Sequence, residues 1–148
     1  MNLNLQSLNY TFLDPPLLIG GSAMEFYNLR KAGADIDLVI SARDHAALVA
    51  KYPEHLKDLF GDIGVCVGEF EIWNTIMLFD YNFLSEHSLT QSDVRVIALD
   101  KLLFLKTLAM QDPKNANDVQ LIVNKINAIQ YGKDSQFPAT HFQRSKTQ

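Results

Sequence analysis

Cysteine is nearly absent: Cys66 is the only one in 148 residues, which excludes an intramolecular disulfide and a zinc site built from several thiolates. A reducing, cytoplasmic setting is expected. No run of 18 apolar residues occurs, and the opening MNLNLQSLNYTFLDPP has no basic flank leading into an apolar core. Neither membrane spanning nor secretion is expected. Positive charge is not in excess either. Thirteen Lys and Arg stand against 17 Asp and Glu, and the formal net charge of −4 argues against a surface built for non-specific nucleic-acid binding. No internal repeat is visible. What is present is 47% hydrophobic and 20% charged, a globular composition. The length suits one domain, expected over 1–131, with 132–148 a polar, loosely held tail.

Asp14-Pro15-Pro16 breaks any preceding element, so Leu17-Leu18-Ile19 reads as a short buried strand closed by Gly20-Gly21. A helix is expected from Ser22, as its cap, to about Arg30, followed by a connecting loop. In Asp35-Ile36-Asp37-Leu38-Val39-Ile40-Ser41 the alternation puts Ile36, Leu38 and Ile40 on one face and both aspartates on the other. Ser41 and Asp44 resemble a capping box for a helix that should end at Pro53, and a further short helix is expected over 54–60. Gly68-Glu69 between two β-branched and aromatic runs reads as a two-residue hairpin turn. A last strand over 94–97 and helices over 99–111 and about 117–129 complete the pattern. The class is α/β of the α+β kind, a small mixed sheet with helices packed on it.

Two local features carry chemistry. Asp35 and Asp37, two apart on a strand, project the same way with Cβ atoms roughly 7 Å apart. That spacing suits a pair of divalent cations, which phosphoryl-transfer sites hold about 3.5–4 Å apart, or else merely keeps one strand face polar. Gly20-Gly21-Ser22 offers unpaired backbone N–H groups at a helix start, where a phosphate can approach glycine backbone closely; an ordinary strand-to-helix turn is the alternative. There is no third glycine of a dinucleotide fingerprint and no P-loop Gly-Lys-Ser/Thr. Lys106 falls between Leu102 and Met110 on the apolar side of its helix, so it must snorkel or meet an anion. His45, His55, His87 and His141 lack ligand spacing, and the first two belong to expected surface helices. Phe60, Phe70, Trp73, Phe79, Tyr81 and Phe83 are expected in sheet core and hairpin packing.

Taken together, a strand, Gly20-Gly21-Ser22, a helix, Arg30 and then Asp35-Ile36-Asp37 on the next strand resemble the nucleotidyltransferase superfamily of the DNA polymerase beta type. Within it, the pattern looks like the short bacterial abortive-infection and toxin nucleotidyltransferases. The resemblance implies that fold, and a Mg²⁺-dependent transfer of a nucleotide from an NTP to the hydroxyl of an RNA or protein acceptor. It implies that Gly20, Gly21 and Ser22 hold the triphosphate, with Arg30 beside them, and that paired acids coordinate two Mg²⁺. It also implies a third carboxylate on a later strand. Glu69 and Glu71 are the candidates, and Glu71, inside the strand rather than at the hairpin tip, is the choice. The catalytic and metal set is then Asp35, Asp37 and Glu71. VIALDKLLFLKTLAM corresponds to the helix whose lysine faces the nucleotide phosphates, which assigns that part to Lys106. Relatives carry a charged run between the last two helices where this chain keeps only Lys114 and Asp118. An antitoxin or a second copy of the chain are the protein partners the resemblance suggests; a non-catalytic nucleotide-binding or interaction module on the same fold is the alternative.

Overall fold

The computed structural model describes residues 2–142, and the chain divides into two compact units, one within 1–98 and one within 99–148.

The first unit is built on a seven-stranded mixed sheet. After a 3₁₀ turn at Leu5–Leu8 come β1 (Leu17–Leu18), α1 (Gly20–Phe26), β2 (Ile36–Val39), α2 (Ala42–Lys51), β3 (Leu56–Leu59), β4 (Asp62–Val67) and β5 (Phe70–Trp73). The small ribbon β6 (Thr75–Ile76) and β7 (Phe79–Asp80), the turn of helix α3 (Tyr81–Leu84), β8 (Leu89–Gln91) and β9 (Val94–Val96) follow. The sheet order is β3-β4-β5-β2-β1-β9-β8. Neighbours are parallel at β5–β2 and β1–β9 and antiparallel elsewhere.

β2 and β1 therefore lie at the sheet's centre, which is why Leu17, Leu18, Leu38 and Val39 are buried regardless of the face they occupy. Burial of each such side chain stabilises the fold by about 1.5–3 kcal/mol. The clean alternation expected for 35–41 is not seen in burial, since Ile36 and Asp37 are both half-buried and Leu38 and Val39 both buried. The amino-terminal segment is pinned to α2 by Asp44, which is fully buried. Its carboxylate accepts from the Tyr10 hydroxyl at 2.7 Å, Leu13 N at 3.0 Å, Asp14 N at 3.1 Å and Ser41 Oγ at 3.1 Å. Burial alone would raise the Asp44 pKa, but these hydrogen bonds outweigh it and hold the carboxyl below its ordinary range, while the same contact pushes Tyr10 up to about 12.

Four local expectations are corrected. The helix expected over 54–60 is the edge strand β3, because Phe60 (φ 53°) and Gly61 (φ 99°) form a two-residue hairpin turn that pairs Leu59 with Asp62. Phe60, expected in the core, is fully exposed at that turn. Lys57 and Asp58 keep this unpaired edge polar. α1 starts at Gly20, so Ser22 lies inside its first turn, buried, rather than capping it. His45 is not a surface residue: it is buried and donates Nε2–H to Ile63 O at 2.9 Å, and burial lowers its pKa.

The second unit is a helical hairpin of α4 (Leu99–Leu108) and α5 (Pro113–Gln130). Asp112 caps α5, with Lys114 N donating to its carboxylate at 2.9 Å and Pro113 in the first helical position, so this helix starts four residues earlier than expected. Phe137 is buried, Asp134 pairs with Lys125 at 2.5 Å, and a 3₁₀ turn spans Ala139–Phe142. The rest of the expected tail, 143–148, lies outside the described residues. No described helix is long and apolar enough to cross a membrane.

Candidate functional site

The acidic cluster grows from one register. β2 and β5 run parallel with Asp37 level with Glu71, so both carboxylates rise from the same face of the sheet on adjacent strands. Glu69 sits in the exposed hairpin turn at Gly68-Glu69, where its backbone carbonyl accepts from Ile36 N at 2.7 Å. Asp35 is exposed and precedes β2 by one residue instead of lying within it. Its charge still reaches Asp37. Burial first, then the charge of Glu71 and a hydrogen bond to it, then the charge of Asp35, raise the Asp37 pKa to about 6, against a hydrogen bond from Trp73 that favours the ionised form. Two carboxylates side by side in a half-dry place resist holding two negative charges. A counter-charge comes from Lys57, whose Nζ is 4.0 Å from Glu71 Oε1.

The glycine turn meets this pair directly. Gly20 has φ +62°, a left-handed conformation that costs other residues about 1–2 kcal/mol. A Cβ there would stand 2.6 Å from Asp37 Oδ2, so glycine is required twice over. Ile19 N donates to Asp37 O at 3.1 Å, which fixes the turn against β2. Gly20, Gly21 and Ser22 lie in the first turn of α1, where backbone N–H groups have no intrahelical partner. Arg30 folds back on the same turn: its Nη1 would be 3.4 Å from a Cβ on Gly21, and it donates to Lys31 O at 3.0 Å. The first-turn backbone at Gly20 thus meets Asp37, and the Arg30 guanidinium lies against the same turn at Gly21.

Lys106 is in the second unit and has found its anion there. Its Nζ is 2.9 Å from Asp118 Oδ2 and donates to Asn115 Oδ1 at 3.2 Å, with the Asp118 side chain 1% exposed. Asp118 lies in the second turn of α5 and serves this buried ion pair.

Two site residues were missed in the sequence. Gly68-Glu69, as a two-residue turn, places Cys66 opposite Glu71 and Gly64 opposite Trp73. The Cys66 thiol is pushed up first by burial and then by the Glu71 charge. Trp73 lies over Gly64. The signal was available, since the turn alone fixes the register of the hairpin.

The donor set suits a hard divalent cation in part. Asp37 and Glu71 are adjacent, mutually repelling carboxylates whose repulsion a cation would relieve. Among the described residues, no group of three or more His, Cys, Asp or Glu is gathered closely enough to hold a metal ion. Mg²⁺ is commonly held by one or two carboxylates with waters and substrate phosphates completing its shell, which is the arrangement these residues could offer. Comparisons with protein-family models, curated proteins and solved structures return no match.

Proposed function

We propose that the first unit binds a Mg²⁺–nucleoside triphosphate and transfers its nucleotide to an acceptor hydroxyl on RNA or protein. The observation that carries the reading is the meeting of Gly20 with the Asp37–Glu71 pair, an anion-tolerant backbone turn packed against two carboxylates in register. The amides of Gly20, Gly21 and Ser22 and the Arg30 guanidinium would receive the triphosphate. Asp37 and Glu71, with Asp35 from the adjoining loop, would hold Mg²⁺. When bound, the ion would neutralise phosphate charge and favour the acceptor's ionised oxygen. The acceptor hydroxyl would lose its proton to a carboxylate of the pair or to solvent as its oxygen bonds to the α-phosphorus, while the bond from that phosphorus to the bridging oxygen breaks and pyrophosphate leaves in line. The chain's residues act by orienting and by excluding competing charge rather than by covalent chemistry. A role beside an antitoxin, or as a homo-oligomer, belongs to the same proposal through the sequence resemblance.

A second reading is favoured by one observation: the ammonium of Lys106, assigned to phosphate in the sequence, is tied to Asp118 and Asn115. On that reading the chain binds nucleotide without turnover. Incubation with Mg²⁺, each labelled NTP and cell extract separates the two. Labelled RNA or protein with released pyrophosphate, lost in Asp37→Ala, supports transfer; equal labelling by that variant refutes the mechanism, and saturable binding without labelling favours the module.

A further inference from the structure

Lys57 belongs to the exposed edge strand β3 and lies on the same face of the sheet as the acid pair. Its register partner is Gly64, which is level in turn with Trp73, two residues beyond Glu71 on that face. β3 and β5 stand two strand spacings apart, about 10 Å, so only a long side chain spans the gap. Trp73 covers Gly64, which leaves the small Cys66 on β4 between the lysine and Glu71. The Cys66 thiol senses both charges, its pKa raised by that of Glu71 and lowered by that of Lys57. Lys57 Nζ ends 4.0 Å from Glu71 Oε1, with the lysine side chain 48% exposed and the glutamate 27%. An exposed pair at that separation holds weakly, so the ammonium is readily released. Lys106, assigned to phosphate in the sequence, is committed to Asp118 instead.

We propose that Lys57 is a nucleotide-binding residue of this site, its ammonium passing from Glu71 to a phosphate of the bound triphosphate. The inference rests on the reading of the acid pair as a Mg²⁺–nucleotide site and names the lysine that site uses. A bare cation and the Lys57 ammonium compete for the same Glu71 oxygen, so the lysine weakens the binding of metal alone. A triphosphate brings negative charge to the carboxylates' edge, and an ammonium on a flexible four-carbon stem can turn from carboxylate to phosphate while its backbone stays in the sheet. Lys57 therefore favours metal that arrives with phosphate over metal by itself. A lysine that only paired with Glu71, or only kept the open edge of β3 polar, would not move the two affinities in opposite directions.

Lys57→Gln removes the charge but keeps the exposed edge polar, so the variant should fold, as its circular dichroism spectrum checks. Mn²⁺ alone, followed by electron paramagnetic resonance, should bind this variant about two- to fivefold more tightly than wild type. A non-hydrolysable NTP in Mg²⁺, followed by calorimetry, should bind it about tenfold or more weakly, and Lys57→Arg should restore most of that loss. Nucleotide affinity unchanged or raised in Lys57→Gln overturns the proposal, as does a Mn²⁺ affinity that fails to rise. If the wild-type chain binds no nucleotide, the functional reading fails and this inference with it. If wild type binds nucleotide and Lys57→Gln binds it equally well, the inference fails alone.

Discussion

Asp37→Asn should stabilise the protein at neutral pH, and the size of the effect follows from its surroundings. Burial and the neighbouring Glu71 raise the Asp37 pKa from 3.8 to about 6 in the folded state. Below the unfolded value both states hold the proton and nothing is lost. Between the two values the unfolded chain ionises while the folded one does not, so stability falls as pH rises. Above about pH 6 the full penalty is present, about 3 kcal/mol from a shift of this size. Asparagine keeps the shape but carries no charge. Melting curves by circular dichroism should therefore show the variant roughly 6–12 °C above wild type at neutral pH, since a chain of this size gains about 2–4 °C per kcal/mol. The gap should narrow as pH falls below about 6 and close at about pH 3, below the unfolded value of 3.8, where Asp37 holds its proton in both states. A variant equally or less stable than wild type at neutral pH, or a gap independent of pH, would refute the electrostatic reasoning.

Three other substitutions probe separate parts of the structure. Gly20→Ala combines a left-handed backbone with a Cβ 2.6 Å from Asp37 Oδ2, so it should cost at least about 1–2 kcal/mol in denaturant unfolding and weaken any ligand the acid pair holds. Lys106→Met leaves the buried Asp118 carboxylate without its cation and should cost about 3–5 kcal/mol, whereas the double change with Asp118→Leu should recover most of that loss in the same unfolding assay. Asp44→Ala removes the acceptor for Tyr10, Leu13, Asp14 and Ser41 and should cost about 3 kcal/mol at neutral pH. Because the Asp44 pKa is lowered on folding, that cost should shrink as pH falls through the carboxylate range, and spectrophotometric titration should find the Tyr10 phenol returned to its ordinary range in the variant.

Much of this architecture is written in short-range signals. Pro15-Pro16 before an apolar run, Ser41 with Asp44, and Gly68-Glu69 between β-rich runs each specify a local geometry, and the strand, the helix cap and the hairpin lie where those residues put them. The mixed sheet of an α+β protein follows from their sum. Expectations failed where tertiary pairing outweighed local pattern. Residues 54–60 carry helix-compatible side chains, yet pairing with β4 and the turn at Phe60-Gly61 extend them, although Phe60 must then take a positive φ. β8 was invisible because its partner β9 and the turn at Ser92-Asp93 define it more than its own Leu89-Thr90-Gln91 does. Lys106 shows a different kind of limit. Its place on an apolar helix face correctly called for an anion, but a sequence does not say whether that anion is a bound phosphate or, as at Asp118, another side chain. In the acidic site, the adjacency of Asp37 and Glu71 required knowing that β2 and β5 pair in parallel, a contact no local spacing encodes.

The central claim, that the Gly20 turn and the Asp37–Glu71 pair form a Mg²⁺–nucleotide site, is tested most directly by calorimetric titration of the wild-type chain and Glu71→Gln with a non-hydrolysable NTP in Mg²⁺. The account predicts saturable, Mg²⁺-dependent binding that Glu71→Gln weakens about tenfold or more while the fold is retained. Absence of binding at millimolar nucleotide, or equal affinity in the two proteins, would contradict it.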